Sequence, residues 1–193
     1  MTEIITGKTK IYCIIGYPVE HSFSPRMHNA VFAELNMDAR FVAFSVKPDQ
    51  LGEALTGLKA LNVAGFNVTV PHKSSVIPYL DEITPLAKKI GAVNTIRNEQ
   101  GLLIGTNTDI SGFIRSLENL NFSPENKSIA LLGAGGAARA LVAGLADAGA
   151  SRILIHNRTV EHAESLLTEF SPIFPQTQLE SVTVETLQAT TLD

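Results

Sequence analysis

The sequence has one cysteine, Cys13, among 193 residues, which rules out an internal disulfide and suits a reducing, cytoplasmic setting. It contains no run of 18 apolar residues free of charge, so nothing in it reads as a membrane span. Basic residues are outnumbered: 15 Lys and Arg face 19 Asp and Glu, for a net charge of −4. No basic patch dominates, which argues against a nucleic-acid or anionic-membrane partner. The five histidines (21, 28, 72, 156 and 162) lack ligand-like spacing, and with one thiol beside them no metal site is expected. There is no G-x-S-x-G nucleophile setting, no internal repeat and no low-complexity tract. The opening MTEIITGKTKIYCIIG has lysines ahead of a short apolar run but no small-residue cleavage site, and reads as a strand rather than a signal peptide.

What is present is an ordinary globular composition, 45% hydrophobic and 18% charged. Strand-length apolar runs alternate with segments of helical period, which predicts an α/β fold. Strands are expected at 11–18, 41–46, 66–70, 92–98 and 102–107, the last two forming a hairpin across Asn98-Glu99-Gln100-Gly101. Helices are expected at 24–36, with Ser24 as N-cap and Pro25 at the first helical position, and at 48–61, with two short pieces around 73–90. A further helix over 109–120 aligns Ile110, Phe113, Ile114, Leu117 and Leu120 on one face. After the polar stretch 121–127 the alternation restarts as strand, helix, strand, helix, and a strand with a short helix is expected in 171–193. Two domains follow, 1–108 and 128–193, joined by a connecting helix and linker at 109–127.

SIALLGAGGAARAL puts Gly133, Gly135 and Ala138 in a G-x-G-x-x-A turn between a strand and a helix. That is the context a dinucleotide site demands. Gly133 permits the tight turn, Gly135 lets backbone approach a pyrophosphate, and Ala138 allows close packing. The helix N-terminus adds free N–H groups for phosphate oxygens. At the end of the next strand an NAD site would hold an acidic residue, but this chain has Asn157-Arg158-Thr159. Arg158 can pair with a 2′-phosphate and lie on adenine, so NADP is favoured over NAD; taken alone, it is an ordinary solvated arginine.

GFNVTVPHK offers a second constellation. Strand alternation sends Asn67 and Thr69 to one face, ~7 Å apart at ~3.3 Å per residue. Lys73 follows about where a helix begins; a helix N-terminus and partial burial would lower its pKa and suit it to proton transfer. Asp109 precedes an amphipathic helix, either as an N-cap or as a carboxylate orienting the lysine ammonium. Ser22 and Ser24 sit in a loop as polar groups suited to hydroxyl or carboxylate ligands. Asn94 is an amide in an otherwise apolar strand and needs a partner. Cys13 reads as buried and inert.

VEHSFSPRMHN, GFNVTVPHK, GAVNT, GTNTDISGF, GAGGAARA and NRT, in that order from about residue 11 to 163, together resemble the shikimate dehydrogenase family. The resemblance implies an N-terminal α/β substrate domain followed by a Rossmann-like NADP domain, with the site between them. It implies Lys73 as catalytic acid/base paired with Asp109, and Ser22, Ser24, Thr69 and Asn94 on shikimate with Asn67 close by. Gly133, Ala134, Gly135, Gly136 and Ala137 would take the pyrophosphate, and Asn157, Arg158 and Thr159 the 2′-phosphate. His162 stands near where the family commonly has a second basic residue. The implied reaction is reversible NADPH-dependent reduction of 3-dehydroshikimate to shikimate, in aromatic amino acid biosynthesis, by a monomer or homodimer. Two alternatives are a quinate/shikimate enzyme using NAD or NADP, and an inactive ligand-binding fragment. The second half of the Rossmann domain and the family's later motifs are missing, so the chain is expected to be C-terminally truncated.

Overall fold

Buried Cys13, Ile14 and Ile15 form the centre of the first strand, β1 (Lys10–Gly16), which has a neighbour on each side. A strand paired on both edges and covered on both faces reads as a continuous apolar run, which is how IYCIIG reads. The computed structural model describes residues 5–135, 137–190 and 192. They fall into two units, 1–106 and 107–193.

The first unit is a six-stranded mixed sheet. Its strands are β1, β2 (Ala39–Ser45), β3 (Gly65–Val68), β4 (Glu82–Ile83), β5 (Thr95–Glu99) and β6 (Leu102–Thr106), in the order β2-β1-β3-β5-β6-β4. β1 runs parallel to β2 and β3, while β5 is antiparallel to both β3 and β6. Helix α1 (Ser24–Glu34) crosses from β1 to β2 and α2 (Leu51–Ala60) leads toward β3. Leu51, Leu55 and Leu58 of α2 pack with Cys13, Ile15, Phe66 and Val68 in the larger core. Ile14, Val19, Phe32, Ala39 and Phe41 make a smaller one. The β5–β6 hairpin closes on Gln100 and Gly101, both at positive φ (56° and 92°), as a two-residue turn of right-handed strands requires.

Several boundaries differ from those the sequence predicts. Ser24 is the first helical residue rather than the cap; Phe23 holds the N-cap position, and the hydroxyl that meets the Ser24 N–H belongs to Ser22, at 3.3 Å. The β3 strand ends at Val68 instead of residue 70, because Pro71 has no N–H and the Val70 carbonyl turns to accept from Tyr17. The segment from 92 stays out of the ladder until Thr95, since the amides of Ala92 and Val93 bond to Ala87 and Lys73. A 3₁₀ turn (Ile77–Tyr79) and α3 (Pro85–Ile90) account for the helical pieces expected around 73–90.

The second unit opens with α4 (Asp109–Asn119), whose cap is also not the expected residue. The side chain of buried Asn107 accepts from the Asp109 N–H at 3.0 Å. Ile110 and Ile114 pack where a methyl on Gly144 of the next helix would sit, but Leu120 lies past the helix end and is 75% exposed. Then come β7 (Ser128–Leu132), α5 (Ala138–Asp147), β8 (Arg152–His156), α6 (Val160–Phe170), β9 (Gln178–Ser181) and α7 (Val184–Ala189). The three strands are parallel in the order β7-β8-β9. This is one βαβαβ half of a Rossmann-like unit, with Ile153, Leu154 and Ile155 of β8 fully buried. No helix among the described residues is long and apolar enough to cross a membrane.

Candidate functional site

The chain between Val68 and Lys73 leaves the centre of the sheet and is held at each step. Thr69 donates its N–H to Ile15 at 2.9 Å, Tyr17 donates to Val70 at 3.0 Å, and His72 donates to Thr69 at 2.9 Å. The ring of His72 is fully buried, and its Nε2 lies 2.7 Å from the Val46 carbonyl, the next residue after β2. That contact anchors the turn to the sheet. Lys73 is half-buried, and its carbonyl accepts from Val93 at 2.8 Å, joining the turn to the Gly91–Asn94 segment. No helix begins at Lys73, so the helix N-terminus expected beside it is absent; the residue sits in a turn four positions ahead of a short 3₁₀ piece.

Beside this turn is a cavity of about 430 Å³. Ser22, Ser24 and Thr69 contribute hydroxyls to its lining, together with His21, while Ile14 and Tyr17 supply apolar wall. Three residues expected to face one polar ligand thus come together from the loop after β1 and from the end of β3. Gly16 is required for that approach. A methyl there would run into the Thr69 side chain and sit 3.1 Å from the Val70 carbonyl.

Asn67 is placed differently. It lines a separate, more apolar cavity of about 450 Å³ with Tyr12, His28, Phe32 and Phe41. Its amide donates to Thr95 Oγ1 at 3.1 Å and, more loosely, to the Asn94 carbonyl at 3.4 Å. Asn94 is 8% exposed, and its Oδ1 accepts from the Thr95 hydroxyl at 3.0 Å. One partner of Asn94 is therefore its own neighbour, which also serves Asn67 across the β3–β5 pair. Thr95 and Asn107 were missed from the sequence. Thr95 could have been found from the polar face it shares with Asn67, its antiparallel partner in the register. Asp109 opens α4 in the second unit, half-buried.

Burial pushes the Cys13 thiol up to about 12, so it stays protonated and unreactive near neutrality. Among the described residues no group of acidic, histidine and cysteine side chains is arranged to hold a metal.

In the second unit Gly133 follows β7 at φ 108°, a conformation that disfavours any side chain, and its N–H donates to the His156 carbonyl at 2.7 Å. A methyl at Gly135 would meet nothing within 4 Å, which leaves open space over the turn for a ligand. Ala137 caps α5, whose Ala138 is buried against the sheet. Arg158, Thr159 and His162 are all exposed at the end of β8 and start of α6, and among the described residues Arg158 has no acidic partner. Gly136 lies outside the described residues. The Asn157 amide faces inward, accepting from the Ala134 N–H at 3.0 Å and donating to the Thr159 carbonyl at 2.7 Å. The donor set fits a phosphorylated dinucleotide: a positive-φ glycine, open space above the next one, a helix N-terminus and an uncommitted guanidinium.

Two family models match the chain in succession. Residues 14–96 match the shikimate dehydrogenase substrate binding domain, and residues 116–190 match shikimate / quinate 5-dehydrogenase. The NADP(+) shikimate dehydrogenase of Geobacter metallireducens is 50% identical over 182 residues, covering 94% of this chain and 64% of that protein. The crystal structure of shikimate dehydrogenase from Aquifex aeolicus superposes with a TM-score of 0.86 at 43% identity, over 95% of this chain and 66% of that one. Shikimate 5-dehydrogenase of Listeria monocytogenes, crystallised with shikimate and NAD, gives 0.89 at 35% identity, over 98% of this chain and 66% of that one. The chain thus spans just under two thirds of the length of these relatives. With both matched domains in order and 50% identity to a curated relative over 182 residues, the chain belongs to the shikimate dehydrogenase family.

Proposed function

We propose that this chain carries the substrate-binding and adenosine-phosphate-binding parts of an NADP-dependent shikimate dehydrogenase, an intracellular oxidoreductase that interconverts 3-dehydroshikimate and shikimate. One observation carries the reading: Ser22, Ser24 and Thr69 line a single cavity next to the turn that bears Lys73. Three hydroxyls in one cavity suit a small ligand with a carboxylate and several hydroxyls, since each can donate to the carboxylate or accept from a ring hydroxyl. Lys73 supplies the proton as the ring carbonyl becomes an alkoxide, and takes it back in the reverse direction. Asp109 is assigned to orient the lysine ammonium at the reacting oxygen.

NADPH, when bound, supplies the hydride. Gly133 shapes the turn that would receive its pyrophosphate, Gly135 would leave room for it, and the N-terminus of α5 would place the positive end of its dipole there. Arg158, with Thr159 and His162 nearby, is the group for the adenosine 2′-phosphate. The NADP(+) named for the Geobacter relative agrees with this; the NAD held by the Listeria enzyme keeps a less selective enzyme as the second reading.

The test is a dehydrogenase assay with shikimate and NADP, run beside calorimetric titration of each. Reduction of NADP coupled to shikimate supports the reading. Binding without NADPH production makes this 193-residue form a ligand-binding module, and faster turnover with NAD or quinate selects the broader enzyme. Lys73→Ala is expected to abolish turnover while holding shikimate affinity within about tenfold, ~1.4 kcal/mol. An active Lys73→Ala protein would refute the acid/base role.

A further inference from the structure

Asn157 belongs to the segment that a phosphorylated dinucleotide would touch, but both ends of its side chain are engaged inside the protein. Its Oδ1 accepts from the N–H of Ala134, within the glycine turn, at 3.0 Å. Its Nδ2 donates to the carbonyl of Thr159, beyond the arginine, at 2.7 Å. The two backbone partners fix which end of the amide is which, because an N–H requires an acceptor and a carbonyl a donor. Next to it, the His156 carbonyl accepts from Gly133 at 2.7 Å. His156, the last residue of β8, and Asn157 after it therefore hold the two residues that follow β7.

We propose that Asn157 is a positioning residue which locks the glycine turn to the arginine turn, so that one carboxamide sets the pyrophosphate and 2′-phosphate subsites together. This rests on the dinucleotide reading above and changes two assignments within it. Ala134 does not offer its N–H to phosphate, since Asn157 already takes it, and Asn157 does not select for the 2′-phosphate, a role that falls to Arg158. Among the described residues β7 pairs with β8 alone, and the cross-link joins the turns that follow these two strands.

The experiment compares wild type, Asn157→Ala, Asn157→Asp and Arg158→Ala of the full chain, titrated with ADP and with 2′,5′-ADP. Asn157→Ala is expected to weaken both nucleotides by about tenfold, keeping their affinity ratio within about twofold of wild type. Arg158→Ala is expected to weaken 2′,5′-ADP by about tenfold and leave ADP within about twofold. Hydrogen exchange at the Ala134 amide, read by NMR without nucleotide, should speed up about tenfold in Asn157→Ala. In Asn157→Asp it should stay near wild type, because a carboxylate oxygen still accepts there. If Asn157→Ala weakens 2′,5′-ADP alone and leaves Ala134 exchange unchanged, the residue is a phosphate contact and the proposal is overturned. Wild-type protein that binds neither nucleotide would sink the dinucleotide reading, while the exchange result would still decide whether Asn157 holds the turn.

Discussion

The turn after β3 and the turn after β7 both present backbone and side chains for chemistry, but they are held in opposite ways. The first leaves an interior strand and is anchored by a fully buried imidazole, with Val76 at 0% and Val68 at 2% exposure beneath it. The second leaves a strand that among the described residues pairs on one side only, whose residues are at best half-buried and whose last one, Leu132, is 75% exposed. Among the described residues it is held by hydrogen bonds from the end of β8 and the residue after it. A turn supported by core packing keeps its shape without ligand. One supported by a few half-exposed hydrogen bonds gains order from what it binds.

Four measurements test whether the two turns are held in these two ways. All three tyrosines (12, 17 and 79) lie in the first unit and there is no tryptophan, so tyrosine fluorescence follows that unit alone. His72→Ala should show the largest effect. It empties a buried site and leaves the Val46 carbonyl without its partner, for a loss of about 2–5 kcal/mol in urea unfolding followed by tyrosine fluorescence. A loss below about 1 kcal/mol would mean the first turn is not set by packing. Gly133→Ala should cost about 1–2 kcal/mol, since it forces a side chain into positive φ, and should leave the tyrosine transition in place. The transition to follow is then the second unit's, by amide exchange in β8.

Gly135→Ala should change stability by less than about 0.5 kcal/mol, because its methyl meets nothing in the protein. It should nonetheless weaken NADP measurably in calorimetry; unchanged affinity would remove the pyrophosphate from that position. The smallest effect expected is the pH response of the Arg139–Glu169 pair, which joins α5 to the end of α6. The hydrogen bonds from Arg139 hold the Glu169 carboxyl below the usual range, and the guanidinium also lies 5.1 Å from the Phe170 ring centroid. A lowered folded-state pKa stabilises above the unfolded value of ~4.3 and loses that contribution as pH falls below it. With Glu169 44% exposed, solvent screening limits it to about 0.2–1 kcal/mol. Glu169→Gln should flatten the second unit's stability between pH 6 and 3 by that amount, and an unchanged slope would assign the acid response elsewhere.

Much of this was legible in advance because the relevant physics is local. The apolar run of β1, the leucine spacing of α2 and the strand-turn-helix of Gly133–Ala138 each depend on residues a few positions apart. Capping was harder to read. Ser24 and Asp109 are good caps by type, yet Phe23 holds one position, and Ser22 and Asn107 supply the side-chain oxygens, because the loop geometry, not the residue type, decides which oxygen meets the first free N–H. Lys73 illustrates the same limit: the helix expected at its position is a turn, since Pro71 and the buried His72 hold the backbone in another path.

The α/β class, the glycine turn and the family follow from the order of residues alone, because periodicity, glycine placement and motif order are properties of the chain. That Ser22, Ser24 and Thr69 share a cavity while Asn67 lines another, and that the Asn157 side chain bonds to the glycine turn, emerges from long-range folding. Those outcomes depend on which strands become neighbours and where each one ends, and both are settled by burial and pairing between segments far apart in the sequence.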